Sequence, residues 1–222
     1  MRRILVLVIC LAVFSGCNQA NKTTGKNKPV KATLPVLLVY DTHVSKKYID
    51  TLQKHLEKAF PYEIIVKESP ALPEKLRSPM RGNRYRADSI LRYLNSMYEG
   101  QALKTIMITH HGITCTKHMM KNGKKVVKEP RARYLDWGIF GLGSCPGYTC
   151  VVSTAFLWTR NAHEKTFLQR LKNISVHEIG HTFGLPHCPV KSCVMNDANE
   201  TIVTIDKSTG VFCEKCRLLL KM

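Results

Sequence analysis

The run His177-Glu178-Ile179-Gly180-His181-Thr182-Phe183-Gly184-Leu185-Pro186-His187-Cys188 constrains this chain more than any other stretch. On an α-helix, residues four apart lie about 40° apart around the axis and about 6 Å along it. His177 and His181 therefore face one point. Gly184 tolerates the left-handed conformation that ends a helix, and the returning chain can offer His187 as a third nitrogen. Three His with one position left open describe a catalytic zinc centre rather than a closed structural one. Glu178 sits beside that point and is the expected general base for a zinc-activated water. HExxH alone is a modest signal. Gly184 and His187 at fixed offsets make it specific, because a surface helix with unrelated His would have to match every motif position by accident.

The residue after the third His opens a second constellation. Cys188 and Cys193 form one short pair, and Cys213 and Cys216 another. Four thiolates so spaced suit a structural zinc site, giving two Zn2+ per chain; two disulfides are the competing reading. Residues 188–222 are too few for a core of their own, so a metal clip there makes physical sense. Met195 lies inside the clip. It reads either as a core methionine or as one in a tight turn packed beneath the His ligands. Cys145 and Cys150 could pair locally, which would leave Cys115 free.

The N-terminus reads as a targeting segment. Arg2 and Arg3 precede an apolar run, Ile4 to Phe14, too short for a stable transmembrane helix. Phe14-Ser15-Gly16-Cys17 resembles a bacterial lipobox, with Cys17 as the lipidated residue. We expect a signal peptide over 1–17, a flexible polar tether over 18–33 and a metallopeptidase domain over 34–222. That organisation places the protein in the cell envelope, lipid-anchored to a bacterial membrane, most simply the outer one. The net charge of +18 is concentrated in residues 75–92 and 117–133. Such clusters can attract anionic headgroups or acidic substrates, but a solvated basic surface is the simpler reading. No nucleic-acid-binding motif accompanies them, so nucleic acid is not an expected partner.

Along the chain, Leu34 to Tyr40 reads as a buried strand and residues 44–59 as an amphipathic helix stopped by Pro61. Tyr62 to Val66 and Leu103 to Thr109 read as further strands, with a helix over 87–98 between them. The order β-α-β-α-β predicts parallel strands covered by helices, an α/β fold. Residues 69–86 read as an exposed connection, and Asn122-Gly123 as a hairpin turn. Tyr148 to Ala155 reads as a final, antiparallel strand. A long helix is expected from a cap at Asn161, with Glu164 as its reciprocal acid, through the two His to Gly184. Gly180 inside it would leave room for close packing near the metal. His110 and His111, after the third strand, are expected to be structural rather than metal ligands.

The pattern HExxHxxGxxHC-x4-C-x-M-x17-C-x2-C, from His177 to Cys216, resembles the archaemetzincin (archaelysin) family, zinc peptidases of the metzincin clan. Phe140-Gly141-Leu142, Val151-Val152-Ser153, Asp206-Lys207 and Phe212-Cys213 are weaker points of similarity. The resemblance implies a metzincin-like fold: a mixed twisted sheet whose antiparallel edge strand, here residues 149–154, lines the cleft, and a long active-site helix. It implies a catalytic zinc on His177, His181 and His187, Glu178 as base, Met195 in the Met-turn and a four-cysteine zinc site. The signal, the tether, Cys145 and Cys150 are additions to the family pattern. The expected activity is hydrolysis of a peptide or protein substrate, by a monomer. Two other classes compete. One is a non-catalytic zinc protein binding envelope components, which would have no chemical need of Glu178. The other is a zinc amidase acting on a non-peptide amide.

Overall fold

Alternation of apolar side chains along the strands builds two cores, one on each face of a sheet. In a strand, successive side chains point to opposite faces. In Val36–Asp41 (β1), Val36, Leu38 and Tyr40 enter one core, and Leu37 and Val39 the other. Lys104–Thr109 (β4) divides likewise, with Ile106 and Ile108 on the first face and Met107 on the second. Both faces are covered, which explains why these strands read as continuous apolar runs.

The computed structural model describes residues 34–160, 162–197 and 201–221. The expected signal 1–17 with Cys17, the tether 18–33 and the expected cap Asn161 lie outside them. Lys46–Ala59 (α1) buries Ile49, Leu52 and Leu56 on the first face of the sheet. Ile64–Ser69 (β2) follows, then Arg84–Arg86 (β3) and Ala87–Tyr98 (α2), which buries Ile90, Leu91 and Leu94 on the second face. After β4 come Gly112–Cys115 (β5), His118–Lys121 (β6) and Lys124–Val127 (β7). β6 and β7 form an antiparallel hairpin whose turn, Asn122 and Gly123, has φ of 51° and 73°. Two positive φ values are what a type I′ turn requires, so the Asn-Gly signal is explained. A short helix, Arg131–Tyr134 (α3), leads to Trp137–Ile139 (β8), Gly141–Gly143 (β9) and Thr149–Ser153 (β10). The chain ends with Glu164–Thr182 (α4), Ile202–Lys207 (α5) and Glu214–Leu220 (α6).

The principal sheet has the order β2-β1-β4-β10-β9, and β3-β5-β8 form a smaller one. β2, β1, β4 and β10 are parallel; β9 alone runs antiparallel, paired with β10. This is the expected mixed α/β fold, with three corrections. Residues 149–153 are not the antiparallel edge: β10 is internal and parallel to β4, and the edge is β9. Two of the three residues of β9 are Gly, so it has no side-chain alternation to betray it. The segment 69–86 is not simply exposed. Leu72, Leu76 and Tyr85 are buried in the second core, and Arg86 donates to Leu135 O and Thr116 Oγ1 beneath the smaller sheet. Helix α4 begins at Glu164 rather than Asn161, with His163 at its N-cap and no side-chain cap bond; Glu164 instead meets Lys47 of α1.

Helix α4 is the central element of the first core. Phe167, Leu171, Ile174 and Val176 pack there, while Arg170 forks onto both carboxylate oxygens of Asp206 in α5 at 2.6 and 2.7 Å. At its other end the Lys104 ammonium donates to Thr182 O and Gly147 O at 2.9 and 2.7 Å. A cation there satisfies an orphan carbonyl and complements the helix dipole.

Candidate active site

Helix α4 ends at Thr182, one residue past the second His of the motif. Gly184 N–H donates to His181 O and Leu185 N–H to Gly180 O, with Gly184 at φ 92°. This is a Schellman cap, and only glycine takes such a φ cheaply. The reversal carries His187 back over the helix. Its ring centroid lies 5.4 Å from that of His177 and 4.9 Å from that of His181, and one nitrogen of each ring falls within 4.8 Å of the others.

Two of these rings have their tautomers set by the backbone. His177 Nδ1 lies 2.7 Å from Val194 O, and His181 Nδ1 lies 2.7 Å from Leu185 O. A carbonyl only accepts, so each Nδ1 carries the hydrogen and each Nε2 presents a lone pair. Burial and the neighbouring His rings hold both imidazoles neutral, with the His177 pKa lowered to about 4. Yet the two Nε2 atoms stand only 3.0 Å apart. Two neutral acceptors facing each other at that distance repel unless a cation lies between them. The donor set therefore fits a metal ion, and its all-imidazole chemistry suits zinc. Near the third ring lies a residue the motif does not contain: Asp197 Oδ2 is 3.5 Å from His187 Nδ1.

Glu178 is buried beside the rings, under β9. A Cβ on Gly141 would fall 2.5 Å from Glu178 Oε1, and one on Gly143 would fall 2.5 Å from Glu178 O. The Gly residues of β9 are thus required for the strand to lie against the carboxylate. Burial raises the Glu178 pKa to about 8, opposed by the Gly143 N–H that bonds to it.

Beneath the rings, Met195 is fully buried. Its Sδ would lie 2.5 Å from a Cβ on Gly180, with Phe212 Cε1 at 3.2 Å. Gly180 admits the methionine that way. The turn carrying Met195 is pinned by Cys188 N–H to Met195 O at 2.8 Å and by Asn196 Nδ2 to Cys188 O at 2.8 Å. The four cysteines of the second constellation converge: Sγ of Cys188 and Cys213 are 3.7 Å apart, those of Cys193 and Cys216 are 3.8 Å apart, and all four lie within 4.8 Å of one another. Zn–S bonds of about 2.3 Å in a tetrahedron separate sulfurs by about 3.8 Å, whereas a disulfide needs about 2.05 Å. Backbone N–H groups of Met195 and Cys213 point at Cys193 Sγ, and that of Cys216 at Cys213 Sγ, lowering the Cys213 pKa to about 7. Cys145 and Cys150 do not pair. Cys150 is buried in β10, while Cys145 is exposed and donates to Leu185 O.

The rings and Glu178 open into a cleft of about 790 Å³, also lined by Trp137, Phe156, Arg84 and Lys117. Parts of both basic clusters thus face the cleft rather than bulk solvent alone.

The sequence model of Peptidase family M54 matches residues 37–222. An archaemetzincin from Methanopyrus kandleri is 28% identical over 173 residues, covering 78% of this chain and 86% of that protein. One from Pyrobaculum aerophilum is 40% identical over 94 residues, covering 41% and 60%. The crystal structure of the M. kandleri archaemetzincin superposes with a TM-score of 0.67 at 27% identity, over 87% of this chain and 96% of that one. That of a zinc-dependent peptidase from Methanocorpusculum labreanum, 21% identical, shares the fold with a TM-score of 0.65 over 83% and 99% of the two chains.

Proposed function

This chain belongs to peptidase family M54, the archaemetzincins, and is a zinc metallopeptidase; from that premise we propose that His177, His181 and His187 hold the catalytic zinc and that Glu178 is the general base. The observation that carries the ligand assignment is the pair of acceptor Nε2 atoms 3.0 Å apart, each ring committed through Nδ1 to a backbone carbonyl. Zinc at that point supplies a Lewis acid that makes water nucleophilic near neutral pH and polarises a carbonyl.

The chain's own residues do the rest. Glu178 accepts the proton of the attacking water and returns it to the leaving amine. The Gly143 N–H bonds its carboxylate, and a zinc cation beside it would favour the ionised form that the base needs, against the burial that raises its pKa. Strand β9 is an edge, so a substrate in extended form can add to it as a further strand, with its scissile carbonyl facing the His rings. Met195 supports the rings from below as the Met-turn.

The same reading assigns a second, structural zinc to Cys188, Cys193, Cys213 and Cys216, supported by sulfur separations of 3.7 and 3.8 Å. Cys213→Ser should then lower the zinc content by one equivalent relative to wild type. We also retain residues 34–222 as one monomeric catalytic domain, preceded by a lipoprotein signal with Cys17 lipidated and a tether over 18–33, anchoring the enzyme to a bacterial envelope membrane. Incorporation of a palmitate probe into wild type, and its loss in Cys17→Ala, would support that placement; no incorporation into either would refute it.

The activity is tested by digesting a peptide library with zinc-loaded, chelator-stripped and zinc-restored protein and sequencing the new termini. Cleavage lost on stripping and regained with zinc is the expected result. No cleavage by fully loaded protein would refute it.

A further inference from the structure

A third cluster of metal-ligating side chains lies apart from both sets above. Asp41 is the last residue of β1, His43 stands in the turn that follows it, and His110 follows the last residue of β4. β1 and β4 are parallel neighbours, with Tyr40 opposite Ile108, so their carboxyl ends bring these residues together. The sheet order also changes direction here. From β1 the chain passes outward to β2, and then returns to lay β4 on the other side. In open α/β sheets the crevice at the carboxyl ends of the two strands flanking such a reversal is the usual ligand position.

The side chains converge on one buried carboxylate. Asp41 Oδ2 accepts the His110 backbone N–H at 2.8 Å. Asp41 Oδ1 accepts the His43 backbone N–H at 3.1 Å and lies 2.8 Å from His110 Nδ1. His43 Nδ1 faces the same oxygen from 3.9 Å. The two imidazole rings lie against each other, centroids 4.3 Å apart, and one ligating atom from each of the three residues falls within 4.8 Å of the others. An Asp–His pair that merely satisfied itself would account for Asp41 and His110. It would not account for His43, whose side chain is 72% exposed yet folds back over His110 instead of extending into water.

We propose that Asp41, His43 and His110 form a further binding site for a divalent transition metal, independent of the peptidase centre. Two imidazole nitrogens and one carboxylate oxygen suit Zn2+ or Co2+; Mg2+ and Ca2+ prefer all-oxygen shells. Bonds of about 2.0–2.1 Å in a tetrahedron separate ligand atoms by about 3.3 Å, so small side-chain rotations complete the geometry. Three protein ligands leave one position open to water or an exogenous group. The bound ion ties the turn after β1 to the end of β4.

The test uses full-length, untagged protein dialysed against buffered Zn2+ and, separately, Co2+, with metal counted per chain. Wild type should bind one equivalent more than His43→Ala, whose exposed side chain can be removed without disturbing the core. Losing a direct ligand should weaken that equivalent by more than about 100-fold, the upper range for an outer-shell change. Peptidase activity of His43→Ala should stay at the wild-type level. Because the readout is a difference between two proteins, it stands whatever the other two sites hold. Equal metal counts and equal affinities in wild type and His43→Ala would overturn the proposal.

Discussion

A Cβ placed on Gly141 would lie 2.5 Å from Oε1 of Glu178, with Cγ and Cδ of the same side chain within 2.8 Å. The strand that borders the cleft and the carboxylate that faces it are therefore in direct contact, and neither can move alone. Gly141→Ala must push Glu178 aside. A misplacement of about 1 Å can cost about 100-fold in rate, so kcat/KM should fall by that order while zinc content is unchanged. Gly82→Ala, where an added Cβ meets nothing within 4 Å, is the control and should leave kcat/KM unchanged.

Gly180 and Met195 make a second steric pair. Gly180→Ala puts a Cβ 2.5 Å from Met195 Sδ, and such overpacking costs about 1–3 kcal/mol. The same change in a Met195→Ala background removes the main obstacle and should recover most of the roughly 1 kcal/mol of helix propensity that Ala holds over Gly. Denaturant unfolding of the four proteins of this cycle measures the coupling. An equal effect of Gly180→Ala in both backgrounds would contradict the packing described.

Arg170 is 5% exposed and held by Asp206, Leu157 O and Thr159 Oγ1. Asp206→Ala would leave its guanidinium buried without a counter-charge, a loss of about 3 kcal/mol. Arg170→Met, which removes the charge along with its partner's role, should restore part of that stability in the double variant. Urea midpoints check both.

How much of this was legible in the sequence depends on how local each feature is. The His177, His181 and His187 cluster is readable because helix geometry and one Gly turn connect its members. The four cysteines are readable as two close pairs. Helix α2 and strand β4 follow from apolar periodicity, and the β6–β7 turn from Asn122-Gly123. The antiparallel edge is β9 and not residues 149–154 because Gly141 and Gly143 serve by lacking side chains, which leaves no pattern to read. Asp197 behind His187 and the Asp41–His110 bond depend on chain segments that only tertiary structure brings together. Arg86 looked like part of a solvated basic run, although its guanidinium is enclosed by Leu135 O, Thr116 and Asp88.

The pH dependence of chelator-stripped protein follows from Glu178. Its pKa is raised from 4.5 to about 8 by burial. In that interval the unfolded chain binds fewer protons than the folded one at this site, so stability falls as pH rises. The His177 contribution runs the other way, between about 4 and 6.5, and is complete above that range. Cys213, lowered to about 7, acts in the opposite sense above pH 7 but equally in both proteins, so between pH 6.5 and 8 stripped wild type should lose more thermal stability with rising pH, relative to Glu178→Gln. Equal slopes would show that Glu178 is already ionised in the stripped fold.

In the proposed mechanism the three His bind zinc while Glu178 handles the proton. The most direct measurement is zinc content and peptide cleavage, taken together on wild type and Glu178→Gln. Equal zinc is expected in both proteins, with the cleavage rate of the variant lower by at least about 100-fold, within the range that general acid–base catalysis supplies. Loss of zinc from Glu178→Gln, or cleavage by the zinc-loaded variant at the wild-type rate, would contradict it.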